Sequence, residues 1–408
     1  MNLLFVLYIG FDKTGPSVHL LTDIIEQSLI AGHSVNMIVR NRGGEDPDIP
    51  VRLKNYENLH CDIIYDTPLE KGALVKRYFE DIRYAFKCRK IYKRYKNIDV
   101  IFLQSHTSPL FSLSLLKRTL KKPVLFNVQN IFPIDALVLN KLSAKGFKGA
   151  AFIIFRKMQQ MAYAKADRIV TISEDMKQTL MKEKVPEEKL DVVYNWSYSD
   201  DVLDIPDEDN LFLKANDVDL SKYRVVFAGN LGAMVNASLI ADAAEIISKE
   251  KNIHFYIIGG GNNMASLKDS VKKKNLANVS FYPYQPIEYA PHNYAMAHVN
   301  INALPRGIIT TCMPSKTATM LNSARPMVVS VEKDSAYAEL LNKVDKCTVV
   351  DADDVEGFAQ AILDNYYDHI TENSINARDV FLQMCSREHA KEYVRIMENM
   401  SLRRAKGG

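Results

Sequence analysis

The triplet Pro314-Ser315-Lys316 stands at the head of a predicted short helix that runs into the apolar strand "PMVVSV". Free N–H groups at a helix N-terminus attract anions, the Ser315 hydroxyl can cap the helix and donate, and Lys316 adds a full positive charge. From residue 312 to residue 331 there is no Asp or Glu, and Lys316 and Arg325 are the only charged residues. The stretch therefore predicts a site for an anionic ligand; a capped helix with a solvated lysine is the alternative.

Glycine-containing turns follow three of the predicted strands. Gly15 lies in the loop after the first strand, Gly229, Asn230 and Gly232 form the turn that ends "YRVVFAGNLG", and Gly260 lies in "IHFYIIGGG". A glycine at such a turn lets the backbone approach phosphates or a sugar closely. Gly15 alone is almost as well explained as an ordinary turn glycine, but turns of this kind in both halves of the chain favour ligand binding.

The elements that must position these residues form two similar sets. Short, continuously apolar strands alternate with segments of helical periodicity such as "VHLLTDIIEQSLIAG", which is typical of βαβ units in a parallel sheet covered on both faces. Residues 195–222 are rich in Asp and Asn and poor in apolar runs. We therefore predict two doubly wound, Rossmann-like α/β domains over 1–194 and 223–384, joined by a linker over 195–222 and separated by a ligand-binding cleft.

Composition excludes several classes of protein. A chain of 408 residues is too long for one compact core, and a net charge of +3 is too small to indicate a nucleic-acid binder. The five cysteines are scattered, with no CxxC pair, which argues against a disulfide framework or a zinc site and favours the cytoplasm. The N-terminus lacks the features of a signal peptide, and no apolar stretch is long enough to span a bilayer.

The order of the motifs resembles the GT-B glycosyltransferases, in particular the large retaining family often numbered four and its bacterial surface-polysaccharide branch. The matching segments are "TGPSVH", "NVQNIFPIDAL", "ADRIVTISEDMKQTL", "VVYNW", "VFAGNLG", "IIGGG" and "MPSKTATMLNSARPMVVSV", which together span nearly the whole chain. The resemblance implies transfer of a sugar, with retention and without metal or cofactor, from a nucleotide-diphosphate donor that is typically UDP-linked. It places the donor on the C-terminal domain and the acceptor on the N-terminal one, on which a terminal helix over 385–403 packs back.

The chain departs from the family at its acidic motif. Relatives carry two glutamates separated by seven residues, the second of which binds the donor ribose, and the equivalent positions here are Thr311 and Thr319. The Pro314-Ser315-Lys316 triplet is similar to that of the surface-polysaccharide branch. This implies that backbone, hydroxyl and ammonium groups hold the diphosphate, and that Thr319 bonds a ribose hydroxyl.

Cations and aromatic residues complete the expected donor site. Relatives have an Arg and a Lys shortly after the second glycine turn, whereas "GNLGAMVNAS" contains no cation, so Lys316 and Arg306 are the candidates to meet the diphosphate charge. A solvated Arg306 is an equally good interpretation. Tyr282 and Tyr284 follow a strand in "SFYPYQP" and can stack on the base, although half-buried packing is the commoner role of alternating tyrosines.

Acceptor activation is expected near the carboxyl end of "PVLFNVQ". Relatives have Gln-Asp at this position, but this chain has Gln129-Asn130, and an asparagine can orient a hydroxyl without acting as a base. Asp135 is the nearest carboxylate and is a candidate base, with a helix N-cap as an equally good alternative. His106 is a weaker candidate, because a loop histidine is usually polar surface.

Residues 71–96 contain ten Lys or Arg and two acids, with apolar residues at helical spacing. This pattern predicts a basic amphipathic helix suited to an anionic membrane surface, or else a solvated helix that packs one face on the first domain. Polyprenyl-linked acceptors are common in the resembling branch. The expectation is therefore a cytoplasmic enzyme held peripherally on the inner face of the cell membrane, with a glycan or a lipid-linked acceptor.

Two other functions are compatible with these residues. A GT-B sugar-nucleotide epimerase would need more acid and base residues around the ligand and no membrane patch. A catalytically degenerate protein that partners an active transferase would explain the missing glutamates, the missing cation pair and Asn130. Turnover of a nucleotide sugar distinguishes the three.

Overall fold

The computed structural model describes residues 1–11, 18–42, 49–67, 74–95, 97–143, 145–197, 205–323, 325–367 and 377–407. The chain forms two compact units. The first comprises Met1–Asn195 together with Arg387–Gly408, and the second comprises Trp196–Ser386.

The first unit is built on a seven-stranded parallel sheet of order β3-β2-β1-β4-β5-β6-β7. Its strands are β1 Asn2–Val6, β2 Ser34–Asn41, β3 Leu59–Tyr65, β4 Val100–Gln104, β5 Val124–Val128, β6 Arg168–Thr171 and β7 Leu190–Val192. Its helices are α1 Val18–Ile30, α2 Val51–Lys54, α3 Leu74–Tyr92, α4 Pro109–Thr119, α5 Ile134–Val138, α6 Gly146–Lys165 and α7 Glu174–Lys182, with a 3-10 turn at Glu187–Lys189.

The second unit is built on a six-stranded parallel sheet of order β10-β9-β8-β11-β12-β13. Its strands are β8 Tyr223–Asn230, β9 Ile253–Gly260, β10 Val279–Tyr282, β11 Val299–Ala303, β12 Met327–Ser330 and β13 Cys347–Val350. Its helices are α8 Leu211–Ala215, α9 Ala237–Ile247, α10 Met264–Lys273, α11 Ala290–Ala295, α12 Lys316–Asn322, α13 Ala336–Leu341, α14 Val355–Tyr366 and α15 Ala377–Cys385, with 3-10 turns at Asp207–Asp209, Ile287–Tyr289 and Ile308–Thr310.

The prediction of two parallel-sheet α/β domains is confirmed. The continuously apolar strand runs are covered on both faces: Leu3, Leu4, Phe5 and Val6 of β1 are all fully buried. In each sheet the strand order reverses beside the first strand, between β1 and β4 and between β8 and β11. Ligands of doubly wound folds bind at the carboxyl ends of the strands at such a reversal, and Gly229 at the carboxyl end of β8 lies at this point.

The segment predicted as a linker contains folded elements from residue 205 onward. Asn210 caps α8 by accepting hydrogen bonds from the N–H groups of Phe212 (3.0 Å) and Leu213 (3.2 Å). The Phe212 side chain is fully buried, and its ring lies edge-on to Tyr282 of β10 at 5.2 Å between centroids. This part of the segment therefore belongs to the second unit.

The C-terminal helix α16, Ala390–Gly407, lies in the first unit. The Tyr393 ring is fully buried 6.1 Å from Phe102 of β4, and its hydroxyl donates to Asn127 of β5 (3.3 Å). Glu398 contacts His33 at 2.9 Å. The helix expected over 385–403 begins later, at Ala390, because α15 ends at Cys385 and a 3-10 turn at Arg387–His389 precedes α16.

None of the helices in the described ranges is both long enough and apolar enough to cross a membrane.

Candidate active site

Gly229 and Asn230, predicted as a turn, are the last two residues of β8 and pair with Gly259 and Gly260 of β9; we call Gly229 to Gly232 the glycine turn, and its shape is fixed by the close approach of β8 and β9. Gly229 and Gly259 have positive φ, +113° and +132°, and a Cβ on Gly259 would collide with the Gly229 carbonyl oxygen. Only glycine fits there without strain. At the carboxyl ends of these two neighbouring strands the backbone is therefore not covered by side chains of Gly229 or Gly259, and the exposed Asn230 side chain lies beside it. Gly232 continues the turn, and a Cβ added to it would lie only 3.0 Å from Asn230 Nδ2.

Tyr284 lies over this end of β8 and β9. Its hydroxyl donates to the carbonyl oxygen of Gly260 (3.1 Å) and to Asn230 Oδ1 (3.3 Å). A Cβ on Gly260 would come within 2.8 Å of the Tyr284 ring, so the ring packs directly on the glycine. The side chain is nevertheless 60% exposed, which leaves an aromatic face available for stacking.

Tyr282 has a different environment. Its hydroxyl donates to the carbonyl oxygen of Asp217 (2.8 Å), and its ring packs against Phe212. Tyr282 thus joins β10 to the segment around α8, which is the packing role that was the alternative in the sequence analysis.

Lys316, the first residue of α12, extends across the glycine turn. A Cβ on Gly229 would lie 3.5 Å from Lys316 Cε, and Nζ lies 4.4 Å from the centroid of the buried Phe227 ring. Desolvation lowers the pKa of Lys316 to about 8. Within the described residues no carboxylate forms an ion pair with its ammonium, which therefore meets only a cation–π contact. A desolvated cation without a counter-charge is a strong site for an anion.

The other residues of the helix head have unequal roles. Pro314 accepts a hydrogen bond from the Thr317 N–H through its carbonyl oxygen (3.2 Å), and Ser315 is exposed. The predicted side-chain cap is wrong, because Ser315 makes no capping hydrogen bond. Thr317, which the sequence analysis overlooked, anchors the helix through a buried hydroxyl contact with Tyr337 at 2.7 Å.

The two threonines at the positions of the family acids differ in access. Thr311 is fully buried, and its hydroxyl donates to the Ile308 carbonyl oxygen at 2.9 Å, so its side chain is committed to the 3-10 turn and unsuited to the predicted ligand contact. Thr319 is half-buried in α12, one turn after Lys316, and remains a candidate.

Arg306 is neutralised by the chain itself. Its guanidinium forms ion pairs with Asp351 (3.0 Å) and Asp353 (3.3 Å) and donates to the Ala352 carbonyl oxygen. The hydrogen bond with Asp351 raises the pKa of Arg306. Asp351 and Asp353 therefore take up the charge that had been assigned to the ligand.

Glu332 is a carboxylate that the sequence analysis did not single out. It follows β12, and its Oε1 accepts a hydrogen bond from the Gly307 N–H. Its Oε2 is buried and has no hydrogen-bond partner among the described residues. The only sequence signal is that Glu332 is the first acid after the acid-free stretch from residue 312 to residue 331.

In the first unit, His106 is part of a packed cluster. One ring nitrogen, Nδ1, lies 2.9 Å from the Gln104 carbonyl oxygen, the other, Nε2, lies 2.9 Å from Ser112 Oγ, and the ring stacks on Tyr8 at 3.5 Å between centroids. Desolvation lowers the pKa of His106 to about 4, so the imidazole is neutral. With both nitrogens engaged, His106 does not fit the predicted role of a base.

Asp135 lies in the first turn of α5, whose N-cap position is Pro133. Its Oδ1 accepts a hydrogen bond from the Ala136 N–H at 2.7 Å. Burial raises the pKa of Asp135 to about 6, which is well placed for a proton acceptor near neutral pH. Asn130 is exposed in the turn after β5. Gly15 lies outside the described residues.

Among the described residues no group of three or more His, Cys, Asp and Glu is arranged to hold a metal ion.

Of the predicted donor residues, the structure brings together one group at the carboxyl edge of the second sheet: Gly229, Asn230, Gly232, Gly260, Tyr284 and Lys316. Arg306, Thr311 and Tyr282 are instead bonded to other groups of the protein, namely the carboxylates of Asp351 and Asp353, the Ile308 carbonyl and the Asp217 carbonyl.

Comparison with known proteins points to one group of enzymes. Residues 18–196 match the model of Glycosyltransferase Family 4, and residues 222–368 match that of Glycosyl transferases group 1. The chain is 29% identical over 286 residues to the Probable glycosyltransferase WbjE of Pseudomonas aeruginosa, covering 67% of this chain and 68% of that protein. It is 26% identical over 211 residues to the "Putative colanic acid biosynthesis glycosyl transferase WcaI" of Escherichia coli K12, covering 51% of each.

Among solved structures, Alr3699/HepE of Anabaena in complex with UDP and glucose has a TM-score of 0.67 at 13% identity, over 97% of this chain and 99% of that one. At this identity the likeness concerns the fold, and it confirms the predicted GT-B class.

Proposed function

Since the chain carries a Glycosyltransferase Family 4 domain followed by a Glycosyl transferases group 1 domain, it is a glycosyltransferase, and we propose that it moves a sugar from a nucleotide-diphosphate donor to a glycan or polyprenyl-linked acceptor with retention of configuration. The UDP in the Anabaena neighbour favours a UDP-linked donor. The description of WcaI favours a role in bacterial surface-polysaccharide biosynthesis. The observation that carries the proposal is the Lys316 ammonium over the Gly229 turn, which forms no ion pair with any carboxylate in the described part of the chain.

The donor is assigned to the second unit. The diphosphate lies against the backbone of Gly229 to Gly232 and the Lys316 ammonium, the base stacks on Tyr284, and Thr319 bonds the ribose. As the bond between sugar and diphosphate breaks, negative charge builds on the departing phosphate oxygens. Lys316 stabilises that charge more than it stabilises the ground state, and this difference accelerates the reaction. Because a side chain supplies this charge, we propose that transfer needs no divalent metal.

The acceptor is assigned to the first unit. Asp135, with a pKa raised to about 6, takes the proton from the attacking hydroxyl, and Asn130 orients that hydroxyl. The enzyme works at the cytoplasmic face of the membrane, with the basic segment 71–96 in contact with anionic lipid. In this scheme His106 has a structural role only.

The deciding experiment incubates the purified chain with a panel of UDP-, GDP- and dTDP-sugars and follows the products by mass spectrometry. Slow release of the nucleoside diphosphate from one donor, accelerated by a lipid-linked acceptor, is the expected result. Release of an isomerised sugar nucleotide would instead establish an epimerase. Binding without turnover would establish a non-catalytic partner protein. A reaction without the protein serves as the control for spontaneous hydrolysis of the donor.

A further inference from the structure

Glu332 is a carboxylate of which the protein uses only one oxygen. It stands two residues after β12, and its Oε1 accepts a hydrogen bond from the Gly307 N–H. Its Oε2 is buried and has no hydrogen-bond partner in the part of the chain that the structure describes. A buried carboxylate oxygen without a partner costs free energy, because nothing replaces the water that it has lost. A hydrogen-bond donor supplied by a ligand would remove that cost.

The loop that meets Glu332 is held firmly in place. Gly307 has a positive φ of +86°, which favours glycine, and its N–H is bonded to the Glu332 carboxylate. The preceding residue, Arg306, is paired with Asp351 at 3.0 Å, and the 3-10 turn at Ile308–Thr310 buries both of its isoleucines. The loop therefore fixes Oε1 and leaves Oε2 without a partner.

The strand order places Glu332 on the far side of the Lys316 site from Tyr284. Across the sheet the order is β10-β9-β8-β11-β12. Tyr284 packs on Gly260 at the end of β9, and Lys316 crosses Gly229 at the end of β8. Glu332 follows β12, which lies two strands and roughly 10 Å beyond β8. A nucleotide sugar with its base on Tyr284 and its diphosphate at Gly229 therefore directs its sugar toward β11 and β12.

We propose that Glu332 is a further donor-binding residue, whose Oε2 accepts a hydrogen bond from a hydroxyl of the transferred sugar while Oε1 holds the Gly307 N–H. An ionised carboxylate only accepts hydrogen bonds, and its bond with a hydroxyl is stronger than a bond between two neutral groups. A site built in this way rejects donors that lack the hydroxyl, because the buried oxygen is then left without a partner. The inference rests on the proposed function, since it needs the nucleotide to bind at Gly229 and Lys316.

The test is titration calorimetry of the full chain with UDP, UDP-glucose, UDP-galactose and UDP-N-acetylglucosamine. Glu332→Gln keeps an oxygen for the Gly307 N–H and removes the charge. It should weaken the binding of the UDP-sugar that the wild type binds most tightly by about tenfold, and change the affinity for UDP by less than about twofold. Asp334→Asn alters an exposed acid of the same segment and is the matched control, which should bind all four ligands like the wild type.

A second measurement uses deoxy analogues of that UDP-sugar, each of which lacks one hydroxyl. One analogue should bind the wild type about tenfold more weakly than the parent compound and lose nothing further in Glu332→Gln, because both changes remove the same contact. The other analogues should remain sensitive to the substitution.

The outcomes separate this inference from the proposed function. Unchanged binding of the UDP-sugar by Glu332→Gln, or equal weakening of UDP and UDP-sugar, would overturn the sugar contact and leave the donor site at Lys316 standing. Sensitivity of every deoxy analogue to Glu332→Gln would overturn the hydroxyl contact as well. Failure of the wild type to bind UDP and all three UDP-sugars would refute the proposed donor site itself, and the inference with it.

Discussion

Replacing Lys316 by alanine is the sharpest test of the proposed donor site. The side chain crosses the Gly229 turn, its ammonium lies 4.4 Å from the Phe227 ring centroid, and no carboxylate of the described residues neutralises it. In the proposed donor site the charge that develops on the departing diphosphate is assigned to this group, because "GNLGAMVNAS" offers no cation. We therefore expect Lys316→Ala to lower kcat while the fold is retained.

The structure sets the magnitude. Desolvation lowers the pKa of Lys316 from 10.5 to about 8, which corresponds to about 3 kcal/mol borne by the charged form in the absence of an anion. A diphosphate beside the ammonium recovers free energy of this order, and more of it as charge accumulates in the transition state. A loss of about a hundredfold in kcat, close to 2.7 kcal/mol, is the expected cost of removing one such preorganised contact.

The assay is steady-state release of the nucleoside diphosphate, with thermal unfolding of each variant followed by circular dichroism. Arg306→Ala is the matched control, since this cation of the same unit is already paired with Asp351 and Asp353 and should leave turnover almost unchanged. Near-normal turnover of Lys316→Ala together with loss of activity in Arg306→Ala would refute the reasoning and move the phosphate site to the loop before α12.

Four further outcomes are expected. Donor affinity, measured by titration calorimetry, should fall by up to about tenfold per pH unit as pH rises above about 8, because Lys316 loses its proton there, and Lys316→Arg should abolish this dependence. Asp135→Asn should slow transfer by about tenfold to a hundredfold at unchanged donor affinity. It should also remove the fall in kcat that the wild type is expected to show below about pH 6, where Asp135 becomes protonated. A variant that keeps the wild-type pH profile would exclude Asp135 as the base. Thr319→Ala should weaken donor affinity only a few-fold, and Thr319→Glu should shift the pH dependence of donor affinity upward, since a carboxylate three residues after Lys316 raises the lysine pKa. EDTA should leave turnover nearly unchanged, and complete loss would count against metal-independent transfer.

The fold was predictable because its signals are local. A parallel strand buried on both faces is apolar almost throughout, and β1, β8 and β9 are recognisable as such runs, with glycines at the ends of β8 and β9. The segment around α8 was predicted to be a linker because its local sequence carries no such signal. Its composition is polar, and a single buried side chain, Phe212, with one capping residue, Asn210, holds it to the second unit.

The site was predictable only in part, because long-range partners decide which side chains remain available. In sequence Lys316 and Arg306 are both lone cations ten residues apart, yet Arg306 meets two carboxylates 45 and 47 residues further along the chain. Thr311 and Thr319 are likewise indistinguishable in sequence, but the 3-10 turn at Ile308–Thr310 buries the first and satisfies its hydroxyl. Nothing in the local pattern encodes these differences.

The missing acids and the missing cations of the family motif fit one electrostatic explanation. A glutamate at position 319 would lie three residues after Lys316 on α12, within reach of its ammonium, and would take up part of the charge. A site with two further cations after its glycine turn can tolerate this partial neutralisation. A site whose only cation is the lysine at position 316 cannot. In the proposed donor site, threonine at position 319 retains a hydroxyl for the ribose and leaves the whole Lys316 charge to the diphosphate. On this view the acid-free stretch from residue 312 to residue 331 is the condition under which a single lysine can serve.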